Sequence, residues 1–362
     1  MAKCFASLRR GLFSETFVRF SFFSALFFFV TLTFAQNAAV PPVDENLVLF
    51  LSDVHVAPEP LVRWALPVET EKGKTIDYQY EKRGVSGEYL VETDTQANLR
   101  KLVTNVLSMN PRPSCVINLG DDVQVPGMEA YAQMREILRP LEDAGIRYVK
   151  IMGNHDHPVV SEPNTDYLKV FPETQAQSIS PSPNWQAFRV PLPEVDLVIF
   201  ETFDPLRNGW QDWFSSEQKA KYAKNDTYLR YYGAFLPEQQ RWLHDVLASQ
   251  PSDRPLFLCG HHLVDFDAFL PEYRDFPQLQ GWIHGHFHKF YLPKELGIRA
   301  LSLPSACTLG VGTFQTPPAC VKMEVLPDGY RFTLRTLDEN APENEKSFLF
   351  PKRTGRALPT VQ

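Results

Sequence analysis

The sequence predicts an α/β protein in which buried strands alternate with amphipathic helices and carry polar clusters at their carboxyl ends. Six short apolar runs stop abruptly at Asp, Gly, Asn or His, and segments with helical periodicity lie between them. Of the 362 residues, 44% are hydrophobic, which allows a sizeable core. Alternation of strands and helices is the pattern of a layered α/β sheet.

The N-terminus has the pattern of an export signal. Four basic residues come first, and an apolar run over Phe20–Ala35 follows and ends in a small-x-small pattern. The run is shorter than the ~20 residues that a membrane helix needs. We therefore predict a cleavable signal peptide over residues 1–35, a mature chain beginning near Gln36, and a secreted or periplasmic location. An uncleaved signal that anchors the chain in a membrane is the alternative.

The six apolar runs are the predicted strands. Quoted in chain order with the polar residues that end them, they are LVLFLSDVH, CVINLGDD, RYVKIMGNHDH, DLVIFETFD, PLFLCGHH and GWIHGHFH. Ligands of open α/β sheets gather outside the carboxyl ends of the strands, which is where each polar cluster falls. The clusters therefore predict the position of a functional site.

Three segments between these strands have helical periodicity. The first, DTQANLRKLVTNVLSMN, starts with capping residues and repeats apolar side chains at helical spacing. The second, GMEAYAQMREILRPLEDAG, stops at Gly145. The third, LPEQQRWLHDVLAS, has Pro237 in its first turn and an apolar stripe along one side.

The remaining segments complete a single predicted domain over residues 36–337. Residues 58–93 form a polar insertion without clear periodicity, which we expect to be loops over the site. From about Ile298 the chain changes to an antiparallel β segment around a Pro-Asp-Gly turn. Residues 338–362 are polar and contain proline, which predicts a loosely ordered tail.

Cysteine and charge content narrow the class of protein. Cys115 and Cys259 lie in apolar runs, where buried free thiols are expected. Cys307 and Cys320 flank a Gly/Pro-rich loop and could pair in an oxidising compartment, although sequence does not settle connectivity. The net charge of -7 argues against general affinity for nucleic acid.

Histidines concentrate at the strand ends. Eight of the nine, all except His244, fall in these clusters. His284, His286 and His288 are spaced two apart, so an extended backbone would point them to one face, either as a ligand cage or as the polar face of an edge strand. Imidazole suits Zn, Fe, Mn, Ni and Cu, whereas carboxylate and amide oxygens suit harder cations. A mixed set that shares one carboxylate is the arrangement of a two-metal site.

Five motifs resemble those of the calcineurin-like metallophosphoesterases in content and order. The resemblance extends over roughly residues 46–290, and GAFLPEQQRWLHDVLA is similar to a helix of the cyclic-nucleotide phosphodiesterase-like members. It implies a four-layer α/β/β/α sandwich of two mixed sheets. The motifs are Asp53-x-His55, Gly120-Asp121, Gly153-Asn154-His155-Asp156, Gly260-His261-His262 and Gly285-His286-x-His288.

The same resemblance implies seven ligands for two divalent or trivalent metal ions, whose identity among Mn, Fe, Zn and Ni stays open. The ligands of one ion would come from the first and the last motif, and one carboxylate would bind both ions and bridge them. The implied ligands are Asp53, His55 and His288 for one ion, Asn154, His261 and His286 for the other, and Asp121 for both.

The implied activity is hydrolysis of small-molecule phosphodiesters or phosphomonoesters by attack of a metal-bound hydroxide on phosphorus. His155 and Asp121 are the implied catalytic residues, and His155 would protonate the leaving group or hold a phosphoryl oxygen. No nucleic-acid partner, and no membrane span after processing, is expected. The alternatives are a phosphomonoesterase of narrow specificity and a pseudoenzyme or metal-dependent binding protein with an inactive cage.

The motif GDDVQ departs from the family pattern, and two residues of GNHDH have more than one interpretation. Gln124 stands where the family usually has an Asp or Asn that orients the catalytic histidine. A glutamine can hydrogen-bond the ring of His155 but cannot favour its imidazolium form as a carboxylate does, which gives the binding-protein alternative its support. Asp156 and His157 either support the site or face substrate, or they lie in a solvated loop.

Other polar residues near the motifs also have two interpretations. Asp122 is a loop or supporting carboxylate rather than a ligand, and His262 is the alternative to His261 as a ligand. His284 is expected to pack or to orient its neighbours. Aromatic residues around Arg207 form either a covering loop or a wall for a base or sugar.

Overall fold

The computed structural model describes residues 41–65, 81–82, 89–157, 164–203, 232–293, 298–308 and 316–353. The predicted signal peptide and the aromatic segment around Arg207 lie outside the described residues. Within the described part, every helix is too short or too polar to cross a bilayer.

Sixteen strands lie in the described part of the chain, and all six predicted apolar runs are among them. Their bounds are β1 (Val43–Leu51), β2 (Leu61–Ala65), β3 (Glu81–Lys82), β4 (Tyr89–Thr93), β5 (Arg112–Asn118), β6 (Arg147–Lys150), β7 (Ala187–Pro191), β8 (Asp196–Phe200), β9 (Tyr232–Gly233), β10 (Leu256–Gly260), β11 (Leu263–Val264), β12 (Leu279–His284), β13 (Ala300–Ser302), β14 (Ala319–Leu326), β15 (Gly329–Thr336) and β16 (Ser347–Pro351).

Most of the strands form two mixed sheets. The first has the order β16-β15-β14-β1-β5-β6, in which β1, β5 and β6 are parallel and the other neighbours are antiparallel. The second has the order β13-β12-β10-β8-β7, in which only β7 is antiparallel to its neighbour. Parallel strands end at the same edge of a sheet, so the polar clusters of each sheet come together.

The three predicted helices are present and end where their sequences indicate. The Asp94 side chain accepts a hydrogen bond from the Ala97 amide and caps the first helix, and Gly145 follows the second with a φ of 73°. Pro237 occupies the first turn of the third predicted helix. The helices are α1 (Thr95–Ser108), α2 (Met128–Asp143), α3 (Thr165–Val170), α4 (Pro172–Gln177), α5 (Pro237–Ser249) and α6 (Phe266–Phe269), with a 3-10 turn at Pro271–Asp275.

Three apolar cores separate four layers and confirm the predicted α/β/β/α sandwich. Strand β1 shows the principle, because Val48 and Phe50 enter the core between the sheets while Leu49 and Leu51 face helices α1 and α2. Strand β10 does the same on the second sheet, where Leu258 faces the layer that contains α5. A strand that is apolar on both faces therefore belongs to two cores.

The chain after Ile298 differs from its prediction in two places. Strand β13 is parallel to β12 and joins the second sheet, so only β14, β15 and β16 form the antiparallel segment. The prediction of a loose tail is wrong over Ser347–Pro351, which pairs with β15. Phe348 and Phe350 alternate inward there and pack at the core between the sheets.

The insertion over residues 58–93 and two of the four described cysteines differ from what the sequence suggested. The described parts of residues 58–93 are not only loops, because β2, β4 and β3 form a three-stranded antiparallel sheet. Cys307 and Cys320 are separate buried free thiols, so the disulfide considered for them is not formed. Cys115 and Cys259 are buried free thiols, as predicted.

Candidate metal centre

All seven predicted ligands lie in loops at the carboxyl ends of parallel strands. The loop after β1 carries two of them, the loops after β5 and β6 carry one each, and those after β10 and β12 carry three. Backbone hydrogen bonds tie the loops together, since the Asp53 amide donates to the Gly120 carbonyl and the His55 amide to the Asp121 carbonyl, both at 2.9 Å. The Gly285 amide donates to the His261 carbonyl, also at 2.9 Å, and joins the two loops of the second sheet.

The backbone of these loops adopts the left-handed conformation at five predicted ligand positions. Their φ values lie between 51° and 70°, in a region that non-glycine residues seldom occupy. Such a conformation costs about 1–3 kcal/mol per residue, and it persists where surrounding structure enforces it, typically at functional sites. The five residues are Asp53, His55, Asp121, His286 and His288.

Two glycines let the loops approach each other closely. A Cβ at Gly120 would lie 2.5 Å from the Gly153 backbone nitrogen, and the φ of Gly120 is 99°. A Cβ at Gly153 would lie 2.3 Å from an Asp121 carboxylate oxygen. The glycines of the GD and GN motifs are therefore required by the contact between the loops after β5 and β6.

Asp53, His55 and His288 form one half of the cluster. The Nε2 atom of His288 lies 3.1 Å from Asp53 Oδ1 and 3.1 Å from His55 Nε2. All three residues are buried. Asp53 Oδ1 has no hydrogen bond to any residue that the structure describes. A buried oxygen and two imidazole nitrogens thus converge on one point.

Asp121, Asn154 and His261 form the other half. The His261 Nε2 atom lies 3.0 Å from Asn154 Oδ1 and 3.3 Å from Asp121 Oδ2. Asp121 Oδ2 also lies 3.8 Å from His55 Nε2, so the Asp121 carboxylate stands between the two halves. His286 completes this half, because ligand atoms of His261, His262 and His286 lie within 4.8 Å of one another.

The chemistry of these atoms fits a cation. His261 Nδ1 lies 2.9 Å from the Leu119 carbonyl, which can only accept, so Nδ1 carries a proton and the Nε2 lone pair of the neutral ring faces the cluster. There it meets an amide oxygen and a carboxylate oxygen, which are also electron-pair donors. Buried lone pairs that face one another repel unless a positive charge lies between them. The donor set is the nitrogen and oxygen mixture that suits first-row transition metals.

The titration behaviour of the cluster reflects the same demand for positive charge. Burial alone would raise the pKa of Asp121, but His261 lowers it well below its usual range. Burial lowers the pKa of His261, but Asp121 more than offsets this and raises it to about 9. In the absence of another cation, a proton on His261 therefore supplies the charge that the carboxylate requires. Burial lowers the pKa of His286 to about 4, which keeps that ring in the neutral form that binds metals.

His155 is oriented by a backbone group rather than by a side chain. Its Nδ1 atom lies 2.9 Å from the Gln124 carbonyl oxygen, and its amide donates to Asp121 Oδ1 at 2.7 Å. The ring of His155 lies 4.7 Å from that of His55, centroid to centroid. The carbonyl thus occupies the orienting role that the family usually gives to the residue at position 124. Because a carbonyl oxygen can only accept, Nδ1 of His155 carries a proton, and Nε2 lies on the side of the ring away from Gln124.

Two acidic residues beside the ligands have structural roles. Asp156 is fully buried and accepts hydrogen bonds from the amides of Asp122, Val123 and Gly153 at 2.9–3.2 Å, so the solvated-loop interpretation is wrong. The Asp122 carboxylate is bound by Lys150 at 2.8 Å and by Asn118. Asp122 is therefore a supporting carboxylate, as predicted.

Three histidines outside the ligand set, His157, His262 and His284, are also buried. His284 hydrogen-bonds the Gly285 carbonyl through Nδ1 at 2.8 Å, and burial lowers its pKa to about 3, in agreement with a packing role. His157 lies beside Glu201, with Nε2 and Oε2 3.6 Å apart, rather than in a solvated loop. His262 is bound by Thr202, whereas His261 makes the contacts to Asp121 and Asn154.

Ser305 and Thr308 support the site and were not expected from the sequence. The Ser305 hydroxyl donates to the Asp53 carbonyl at 2.6 Å, and Thr308 Oγ1 lies 3.4 Å from His288 Nδ1. The two hydroxyls lie 2.8 Å apart. Polar residues directly after β13, in LPSACT, follow the same strand-end rule as the ligands and could have revealed them.

One family of proteins matches the chain, and several solved structures are similar to it. The calcineurin-like phosphoesterase family matches the chain over residues 47–290. Among solved structures, the chain is similar to GAP50, the anchor in the inner membrane complex of Plasmodium, with 10% identity, a TM-score of 0.44, and coverage of 87% of this chain and 91% of that one. It is also similar to Vps29 complexed with Zn²⁺ from Entamoeba histolytica, with 16% identity, a TM-score of 0.34, and coverage of 84% and 99%.

A predicted phosphoesterase from Streptococcus pneumoniae is another similar structure, with 11% identity, a TM-score of 0.33, and coverage of 84% of this chain and 97% of that one. None of the curated proteins compared with the chain matches it.

Proposed function

The chain belongs to the calcineurin-like phosphoesterase family, and on that premise we propose that it is an exported, dinuclear metal-dependent hydrolase that prefers small-molecule phosphodiesters. Membership in the family supports a metal-dependent phosphoesterase. The observation that carries the finer proposal is the position of the Asp121 carboxylate between two groups of buried nitrogen and oxygen donors.

Seven residues would hold the two ions. The support for this assignment is that each group combines imidazole nitrogen with a side-chain oxygen and that ligand atoms within each group lie close together. Asp53, His55 and His288 would bind one ion, Asn154, His261 and His286 would bind the other, and Asp121 would bridge them.

Bound metal ions of this kind lower the pKa of water and offset the charge of phosphoryl oxygens. The protein holds its own groups in place for that chemistry. The Leu119 carbonyl fixes the tautomer of His261, and the Gln124 carbonyl accepts from His155 Nδ1–H and directs Nε2 away from itself. His155 Nε2 would hold a phosphoryl oxygen or give a proton to the leaving oxygen of the ester.

The proposal favours diesters because GAFLPEQQRWLHDVLA, which contains α5 except Ser249, is similar to a helix of cyclic-nucleotide phosphodiesterase-like members; this similarity concerns the helix and does not identify the substrate. The second candidate is a metal-dependent binding protein, and Gln124 is the observation behind it. The Gln124 carbonyl orients His155 without a carboxylate, so this substitution does not by itself remove the catalytic histidine from its position.

The test compares hydrolysis of bis-p-nitrophenyl phosphate and p-nitrophenyl phosphate by the metal-loaded mature chain, with Asp121→Ala as control. Faster cleavage of the diester, abolished in Asp121→Ala, is the expected result. Faster cleavage of the monoester would refute the diester preference. Cleavage of neither ester by a chain with bound metal would favour the binding protein.

The proposed export has its own test. N-terminal sequencing of the protein recovered outside the cytoplasm should begin at or near Gln36. An intact N-terminus in a membrane fraction would contradict the cleavable signal and favour the anchored alternative.

A further inference from the structure

His262 is a buried histidine beside the candidate metal centre that the proposed ligand set does not use. Its side chain is almost completely buried, and its ring lies 4.7 Å from the rings of both His261 and His286, centroid to centroid. Its Nε2 atom has no hydrogen-bond partner among the residues that the structure describes. A buried polar group without a partner costs about 1–3 kcal/mol, so the position of this ring requires an explanation.

Thr202 determines which nitrogen of His262 carries a proton. The Thr202 hydroxyl oxygen accepts from the His262 amide at 2.9 Å and lies 2.9 Å from His262 Nδ1. The amide can only donate, so Nδ1 is the one acceptor that the described residues offer to the proton of this buried hydroxyl, and a bare Nδ1 is the form of the ring that satisfies it. In a neutral ring the proton then lies on Nε2, and in a charged ring Nε2 also carries one. Nε2–H is therefore a donor in both states.

The surroundings of the ring direct this donor toward the metal centre. A Cβ at Gly233 would lie 2.4 Å from His262 Cβ and 3.3 Å from Nδ1, so the Gly233 backbone closes that side of the ring. Thr202 also lies on the Nδ1 side. One ring nitrogen of His262 lies within 4.8 Å of a ligand atom of His261 and of His286. Because Thr202 and Gly233 take up the Nδ1 side, we infer that Nε2 is the nitrogen that faces these two residues.

His261 and His262 are adjacent in sequence and opposite in chemistry. The Leu119 carbonyl accepts from His261 Nδ1 and leaves a lone pair on Nε2, which is the ligand form. When the Thr202 hydroxyl donates to His262 Nδ1, the ring proton lies on Nε2, and in that tautomer Nε2 has no lone pair for a metal. The pair thus offers one metal ligand and one hydrogen-bond donor within the same half of the cluster.

We propose that His262 is a substrate-binding residue that donates its Nε2–H to a phosphoryl oxygen of the ester held beside the Asn154, His261 and His286 half of the centre. This inference rests on the proposed function, because it requires a phosphoryl group at that place. The tautomer set by Thr202 makes His262 ready to donate before substrate arrives, and such prearranged donors are how enzymes stabilise charge on a reacting phosphoryl group.

The experiment measures metal content and the affinity for inorganic phosphate separately. Metal-loaded wild type, His262→Ala and the control His244→Ala, which changes an exposed histidine, are analysed for bound metal and titrated with phosphate by calorimetry. We expect all three to hold the same amount of metal and His262→Ala alone to bind phosphate about 10- to 100-fold more weakly, as for a hydrogen bond to a charged group.

A second pair of variants tests the tautomer. Thr202→Val removes the hydroxyl that donates to Nδ1, and Thr202→Ser keeps it, so we expect weaker phosphate binding in the former and near wild-type binding in the latter. The same pair keeps the proposal testable if His262→Ala does not fold, which far-ultraviolet circular dichroism would show.

The outcomes separate this inference from the proposed function. Loss of metal in His262→Ala would make His262 a ligand and overturn the inference. Unchanged phosphate affinity with intact metal would overturn it too, while the proposed function would stand. Wild type that binds metal but no phosphate would refute the proposed function and the inference together.

Discussion

The ion pair between Lys150 and Asp122 is expected to be among the most sensitive points of the fold. The Nζ atom of Lys150 lies 2.8 Å from Asp122 Oδ2, and the two side chains are 2% and 0% exposed. The lysine also lies over the rings of Tyr167 and Phe171. Lys150→Met would fill a similar volume and keep the aromatic contacts, but it would leave the buried Asp122 carboxylate with its Asn118 hydrogen bond and without a positive charge beside it. Removal of one member of a buried pair costs about 3–5 kcal/mol.

The assay is urea denaturation of the metal-free mature chain, from which the free energy of unfolding is extrapolated. Lys169→Met is the control, because Lys169 pairs with Asp166 at 3.3 Å on the surface, where an ion pair contributes about 1 kcal/mol or less. The double variant Lys150→Met/Asp122→Asn should recover part of the loss, since no charge remains buried. A loss of under 1 kcal/mol in Lys150→Met, or equal losses in Lys150→Met and Lys169→Met, would refute the reasoning.

Three further predictions concern the loops and the metal. Asp156→Ala should lower the free energy of unfolding by about 2–4 kcal/mol, because three buried amides lose their acceptor. A loss of under about 1 kcal/mol in urea denaturation would contradict this. Gly120→Ala should lower the free energy of unfolding by about 2 kcal/mol or more, because the new Cβ would meet the Gly153 backbone. Gly127→Ala is the control, since no atom lies within 4 Å of its Cβ. Equal thermal midpoints for the two variants would contradict this prediction. Metal added at about 100 times its dissociation constant should raise the free energy of unfolding by about 2.7 kcal/mol for each ion bound, and EDTA should reverse this. Denaturation curves that neither metal nor EDTA changes would argue against binding to the folded chain.

The strand-end residues could be predicted because their positions follow from a local rule. An apolar run that is buried on both faces must end where polar residues begin, and parallel strands bring those ends to one edge. Asp53, Asp121 and His286 are therefore identifiable from sequence, and the structure brings them into one cluster.

Other parts could not be predicted because their signals depend on distant partners. Lys150 ends a strand and looks like a surface residue in the sequence, yet Asp122 and two aromatic rings bury it. Ser347–Pro351 lies in a polar segment, and only Phe348 and Phe350 mark it as a strand that closes the core. The Gln124 carbonyl replaces a side chain, so no sequence pattern could show that His155 keeps its partner.

Titration of activity with metal tests the central claim most directly. The metal-free mature chain receives increasing equivalents of Mn²⁺, or in parallel Zn²⁺, while hydrolysis of bis-p-nitrophenyl phosphate is followed. A dinuclear phosphoesterase predicts activity that rises until two equivalents per chain are bound and then stays constant. Saturation at one equivalent would contradict the two-metal assignment, and bound metal without hydrolysis of any phosphoester at any loading would contradict the enzymatic function.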